Sequence, residues 1–83
     1  SRSHLYGLFK KHLGTTPQAF LTSAKIINAR ELLTITDIPI ANIATSCGYQ
    51  NPFAFSRAFK KETGMTPREY REKYHHAEDL LNC

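Results

Sequence analysis

Apolar residues recur along this chain three and four positions apart, and no stretch alternates strictly enough to argue for a strand. The periodic runs predict five helices, over residues 3–13, 17–34, 39–47, 51–63 and 66 to about 76. All four prolines stand at predicted helix starts. In Thr16-Pro17, Asn51-Pro52 and Thr66-Pro67 a side-chain cap precedes a residue whose missing N–H costs nothing in a first helical turn, and Pro39 leads into the run Ile40, Ile43, Ala44, Cys47. Gly14, Gly48 and Gly64 fall at or just after the ends of runs, where a left-handed residue closes a helix. The expected fold class is all-α.

The second predicted helix is the longest, and its eighteen or so residues span roughly 27 Å. Its apolar residues lie on two sides. Phe20, Ala24 and Ile27 share one face near its start, while Ile26, Ala29 and Leu33 share the nearly opposite face near its end. It reads as a connector serving a core at each end. Residues 77–83 carry Leu80 and Leu81 without a cap or a clear period, and are expected either to extend the last helix or to fray.

Phe9-Lys10-Lys11, Gly14, Thr16-Pro17 and Phe20 are matched fifty positions later by Phe59-Lys60-Lys61, Gly64, Thr66-Pro67 and Tyr70. Six identities and one aromatic exchange within twelve residues imply two copies of one structural unit.

Residues 40–60 hold the pattern with the most functional content. Ile40 and Ile43 face inward one turn apart, Ala44 is small where a second helix crosses closely, and Gly48 then Tyr49 form a sharp corner. This is a helix-turn-helix pattern. The helix that follows starts at Asn51-Pro52 and is expected to bury Phe55, Ala58 and Phe59, leaving Pro52, Phe53, Ser56, Arg57 and Lys60 outside. That outer face has the chemistry of a major-groove reader. Arg57 can donate a fork to guanine O6 and N7 or to phosphate, Ser56 can donate or accept, Phe53 can pack on a thymine methyl, and Lys60 and Lys61 lie toward the backbone. Amides at the helix start near Asn51 can hold a phosphate.

Charge supports this placement. Residues 1–61 carry eight Lys/Arg against two acids, whereas residues 62–83 carry three against five, so a chain of net charge +4 concentrates its positive charge around the Phe-Lys-Lys strings. A polyanionic partner fits such a distribution. The 83 residues are 41% hydrophobic, enough for a core without staples. Cys47 and Cys83 form no disulfide framework and point to a reducing, cytoplasmic setting. His75 and His76 are adjacent and so diverge on a helix, and no zinc spacing accompanies them. No apolar run is long enough to span a bilayer. No paired carboxylates, positioned nucleophile or Gly-rich phosphate loop argue for an enzyme, and no cofactor is expected; Ser23, Cys47 and His4 read as surface or core residues.

The ordered set Ile43-Ala44, Gly48-Tyr49, Phe55-Ser56-Arg57, Phe59-Lys60-Lys61, Gly64, Thr66-Pro67 and Tyr70-Arg71, with Arg30 and Leu33 on the long helix, resembles the DNA-binding domain of AraC/XylS-family bacterial transcriptional regulators across residues 1–74. The resemblance implies a homeodomain-like fold. Two helix-turn-helix lobes are joined by a long linker helix, and their recognition helices enter successive major-groove faces of double-stranded DNA about one helical turn apart. On this chain it implies a single domain over 1–83. Residues 1–16 are the remainder of the first helix-turn-helix, 17–34 the linker helix, 39–74 the second helix-turn-helix with its closing helix, and 75–83 a tail.

A shift of fifty residues places Arg2, Ser3, Tyr6, Gly7 and Lys10 on the DNA-facing side of the first recognition helix. There Gly7 stands where the second unit has Arg57, so the first unit is expected to read fewer bases, or to read through Tyr6 and Arg2. Family domains have two helices ahead of this one, so the first lobe is expected to be incomplete. Leu5, Leu8, Phe9 and Leu13 should then lack cover, and residues 1–20 should either self-associate or be poorly ordered. The alternative function is a helical interaction module docking on an acidic protein such as RNA polymerase. The resemblance implies polymerase contact for activators as well, so the two readings are compatible.

Overall fold

The computed structural model describes residues 2–76 and has five helices. They are α1 (Arg2–Leu13), α2 (Pro17–Ile35), α3 (Ile40–Ser46), α4 (Pro52–Thr63) and α5 (Pro67–Tyr74). The expectation for Leu80 and Leu81 lies outside the described residues. Each predicted cap forms where the sequence placed it. Thr16 Oγ1 accepts from the Ala19 amide at 3.1 Å and Asn51 Oδ1 from the Ala54 amide at 2.8 Å. Thr66 accepts from the Glu69 amide at 3.1 Å while the Glu69 carboxylate accepts from the Thr66 amide at 2.9 Å, a complete capping box. Pro39, Asn51 and Thr66 are caps and not helical residues, so α3, α4 and α5 start one residue later than expected.

The core belongs to the C-terminal part of the molecule. Ile26, Ala29 and Leu33 of α2 meet Ile43 and Ala44 of α3, Cys47 of the turn, and Phe55 and Phe59 of α4, all buried. Rings run through and beyond it in one series. Successive centroids from Tyr49 to Phe55, Phe59, Tyr70 and Tyr74 are 4.7 to 5.7 Å apart. Offset and edge contacts of this kind add to the area they bury.

α5 is fastened to the far end of α2 chiefly through Arg71. The Arg71 guanidinium donates to the carbonyls of Leu33, Ile38, Leu32 and Thr36 at 2.6 to 3.4 Å. Leu32 and Leu33 lie in the last turn of α2 and Thr36 and Ile38 in the link beyond it, and the cation also opposes the negative end of the helix dipole. His75 Nε2 lies 2.9 Å from Asp37 Oδ1 and 3.1 Å from the Thr36 carbonyl, and the His76 amide donates to the Thr34 carbonyl at 2.8 Å. Those contacts draw the chain off the helical path at His75. α5 therefore ends at Tyr74, two residues short of the expected end.

The other face of α2 behaves differently from the expectation of a second core. Phe20 is 52% exposed and Ile27 64% exposed, and Ala24 is exposed too. α1 packs there with Phe9, whose ring meets Phe20 edge to face at 5.8 Å, while Leu5, Leu8 and Leu13 stay largely uncovered. The backbone of residues 2–20 is assigned to α1, a short turn and the start of α2. Among the described residues no helix is long and apolar enough to cross a membrane.

Arg71→Ala should destabilise the fold by about 1 to 3 kcal/mol, because it strips partly buried carbonyls of a charged donor. Arg71→Lys should recover little of this, since an ammonium cannot span four acceptors. Urea unfolding of both variants checks this; a lysine variant as stable as the parent contradicts it. The Thr66 amide bond to Glu69 lowers that carboxyl's pKa below its ordinary value. Its contribution is present above the ordinary carboxylate range and is lost as pH falls through the lowered folded value. Glu69→Gln should accordingly show a smaller loss of stability between neutral pH and pH of about 3 than the parent, measured by the same titration.

Candidate nucleic-acid interface

The corner between α3 and α4 is made by backbone, and it sets the direction of everything after it. The Cys47 amide donates to the Ile43 carbonyl, Gly48 to Thr45 and Tyr49 to Ala44, at 2.9 to 3.0 Å. Gly48 takes φ +90°, a left-handed value that an L side chain rarely adopts. Tyr49 then packs on Phe55, and Asn51 caps the next helix. α4 emerges with Phe55 and Phe59 fully buried beneath it.

The opposite side of α4 carries the residues expected there. Phe53 is 79% exposed, and Arg57, Lys60 and Lys61 are exposed at intervals of three and four, so they share one outward strip. Pro52 is exposed at the first turn. Asn51 is exposed as well, but its side-chain oxygen is engaged by the Ala54 amide. Ser56 departs from the expectation, being half-buried at the edge of the strip, because it lies between the outward line of Phe53 and Arg57 and the buried line of Phe55 and Phe59.

On α1, Ser3, Tyr6, Gly7 and Lys10 are all exposed. Arg2 opens this helix, and its side chain falls outside the described residues. Tyr6 also has neighbours from α2. Its ring borders a shallow concavity with Leu5, Pro17, Gln18 and Leu21, since the turn after Leu13 folds the start of α2 back beside α1.

The fifty-residue repeat persists in three dimensions. Gly14 donates to the Lys10 carbonyl as Gly64 does to Lys60, and Phe20 donates to Thr16 as Tyr70 does to Thr66. Phe9 meets Phe20 edge to face as Phe59 meets Tyr70. The Phe-Lys-Lys string is thus a mount. Its Phe anchors each helix, and its first Lys sits on the exposed edge.

One basic side chain near the corner has no signal in the sequence. Lys25 of α2 places its Nζ 5.2 Å from the Tyr49 ring centroid, a cation–π contact that braces the turn ahead of α4. Burial raises the Cys47 thiol pKa against the opposing pull of Asn28 and Lys25, and burial chiefly raises that of Tyr49 too. Both groups are neutral at physiological pH, so the positive charge of Lys25 is not cancelled by a thiolate or phenolate. Among the described residues no group of three or more His, Cys, Asp or Glu is arranged to hold a metal.

Comparisons with known proteins agree with this geometry. A family model described as a helix-turn-helix domain matches residues 1–73. The raffinose operon transcriptional regulatory protein of Pediococcus pentosaceus is 42% identical over 72 residues, covering 87% of this chain and 26% of that protein. The C-terminal domain of AraT, a response regulator from Geobacillus stearothermophilus, superposes with a TM-score of 0.88 at 37% identity, covering 90% of this chain and 62% of that one. The DNA-binding domain of AdpA, solved with a target DNA, superposes with a TM-score of 0.85 at 28% identity, over 94% of this chain and 69% of that one. The chain likewise spans 26% of the length of the lactose operon transcription activator of Staphylococcus xylosus, to which it is 42% identical over 74 residues, 89% of this chain. On the matched helix-turn-helix model and the shared fold, the chain belongs to the AraC/XylS-type family of DNA-binding transcriptional regulators.

Proposed function

We propose that α4 is the base-reading helix of this DNA-binding domain, and that α1 meets the duplex one helical turn away. The observation that carries the reading is the division of α4. Phe55 and Phe59 are fully buried while Phe53, Arg57, Lys60 and Lys61 stand exposed on the other side, so the helix is held rigidly with a cationic strip outward. A major groove about 12 Å wide admits such a helix. Arg57 forks onto guanine O6 and N7, Phe53 packs on a thymine methyl, and Ser56 makes an edge contact. Lys60, Lys61 and the amides at Asn51 and Pro52 take phosphates. On α1, Arg2, Ser3, Tyr6 and Lys10 supply the corresponding contacts. Such a protein acts in the cytoplasm on chromosomal DNA. RNA polymerase contact remains compatible with this reading, but no surface described above favours it specifically.

The uncovered apolar side chains of α1 and α2 support a second, subordinate reading. Leu5, Leu8, Leu13, Phe20, Leu21 and Ile27 are each at least 41% exposed, and two copies of these 83 residues would bury them against one another.

Binding-site selection from random DNA tests the main reading. Arg57→Ala should relax discrimination at one guanine by about 1 to 3 kcal/mol, whereas Lys60→Ala should weaken all sequences alike and reduce the salt slope by about 1. Arg57→Ala with an unchanged consensus contradicts the assignment. For self-association, sedimentation of the 83-residue chain should show concentration-dependent dimers that Phe20→Ser abolishes; a monomer at every concentration contradicts it.

A further inference from the structure

Gly7 lies in the middle of α1, where glycine weakens a helix, and nothing among the described residues accounts for it. Positive φ among the glycines is confined to Gly14, Gly48 and Gly64, so Gly7 has no backbone conformation that demands it. A Cβ built on Gly7 meets no heavy atom within 4 Å, so no neighbouring chain segment excludes a side chain. Nor does a scaffold helix packed against α1 supply the reason. The equivalent position in the second unit, Arg57, is exposed although α3 is in place beside α4. That equivalence is structural, since the two units share the same closing hydrogen bonds and the same edge-to-face ring pair.

The reason for the missing side chain therefore lies beyond the described residues. We propose that Gly7 is a close-approach point, at which the sugar-phosphate wall of the groove rests against the bare backbone of α1. This rests on the reading of α1 as DNA-facing. Ser3 and Lys10 flank Gly7 one turn to either side, both exposed, and each carries a group that can donate to phosphate. With no side chain between them the helix sits closer to the duplex, and the Ser3 hydroxyl and Lys10 ammonium reach phosphates that a longer residue at 7 would hold off. The two units then divide the work. α4 inserts Arg57 and discriminates among sequences, whereas α1 presents backbone at the same position and contributes affinity and register.

The test places Gly7→Ala, Gly7→Gln and Lys10→Ala in the whole protein, and measures melting temperature and affinity for the selected site and for an unrelated duplex of equal length. Alanine and glutamine are better helix formers than glycine, so neither Gly7 variant should lower the melting temperature. Affinity should nevertheless fall for both duplexes, by roughly five- to tenfold for alanine, as for a methyl forced into a packed contact, and further for glutamine. The ratio between the two duplexes should not change. Gly7→Ala that binds as well as the parent, or that melts lower, overturns the proposal. If Lys10→Ala weakens binding while Gly7→Ala does not, close approach alone fails; if neither variant weakens it, the DNA-facing role of α1 fails with it.

Discussion

The guanidinium of Arg71 joins α5 to the end of α2 and to the link that follows it. Its partners are backbone carbonyls at the end of α2 and in the link to α3, so it fixes where the long helix stops and where the next begins. α5 is thereby clamped across α2, and with it Tyr70, whose ring closes over Phe59. Phe59 and Phe55 in turn set the roll of α4 about its own axis. A rotation of α4 by one residue, about 100°, would carry Arg57 off the outward strip and bring Ser56 or Ala58 in its place. The chemistry of the exposed face thus depends on an interaction on the opposite side of the lobe.

The two ends of α2 are not equivalent. At the C-terminal end the buried stripe Ile26, Ala29 and Leu33 finds three helices to pack against. At the N-terminal end α1 is held chiefly through Phe9 on Phe20, and large apolar side chains remain in contact with solvent. Local stability follows packing, so the first unit is the softer of the two in these residues. A softer helix with a glycine at its reading position suits a contact that follows the duplex backbone; a rigid one with an arginine there suits discrimination.

Much of this was legible in the sequence because the signals are local. Cap, proline and glycine act within four residues of themselves, so the helix starts near Pro17, Pro52 and Pro67 and the corner at Gly48 were readable from spacing to within a residue. The buried side of α4 followed from periodicity in the same way. The role of Arg71 was not readable in this manner, although its position was marked by resemblance. Its acceptors are carbonyls more than thirty positions away, which every residue type supplies equally. The Lys25 contact with Tyr49 is hidden for a similar reason, as it depends on where α2 crosses the corner.

The central claim is that Arg57, held outward by the buried face of α4, reads a guanine through its major-groove edge. The most direct measurement replaces each guanine of the selected site in turn with 7-deazaguanine, which removes the N7 acceptor and leaves Watson–Crick pairing intact, and titrates parent and Arg57→Ala protein on every duplex. The account predicts one guanine at which the parent loses affinity and the Arg57 variant does not, the two effects being non-additive as for groups in direct contact. Losses of equal size in parent and variant at every guanine would contradict it.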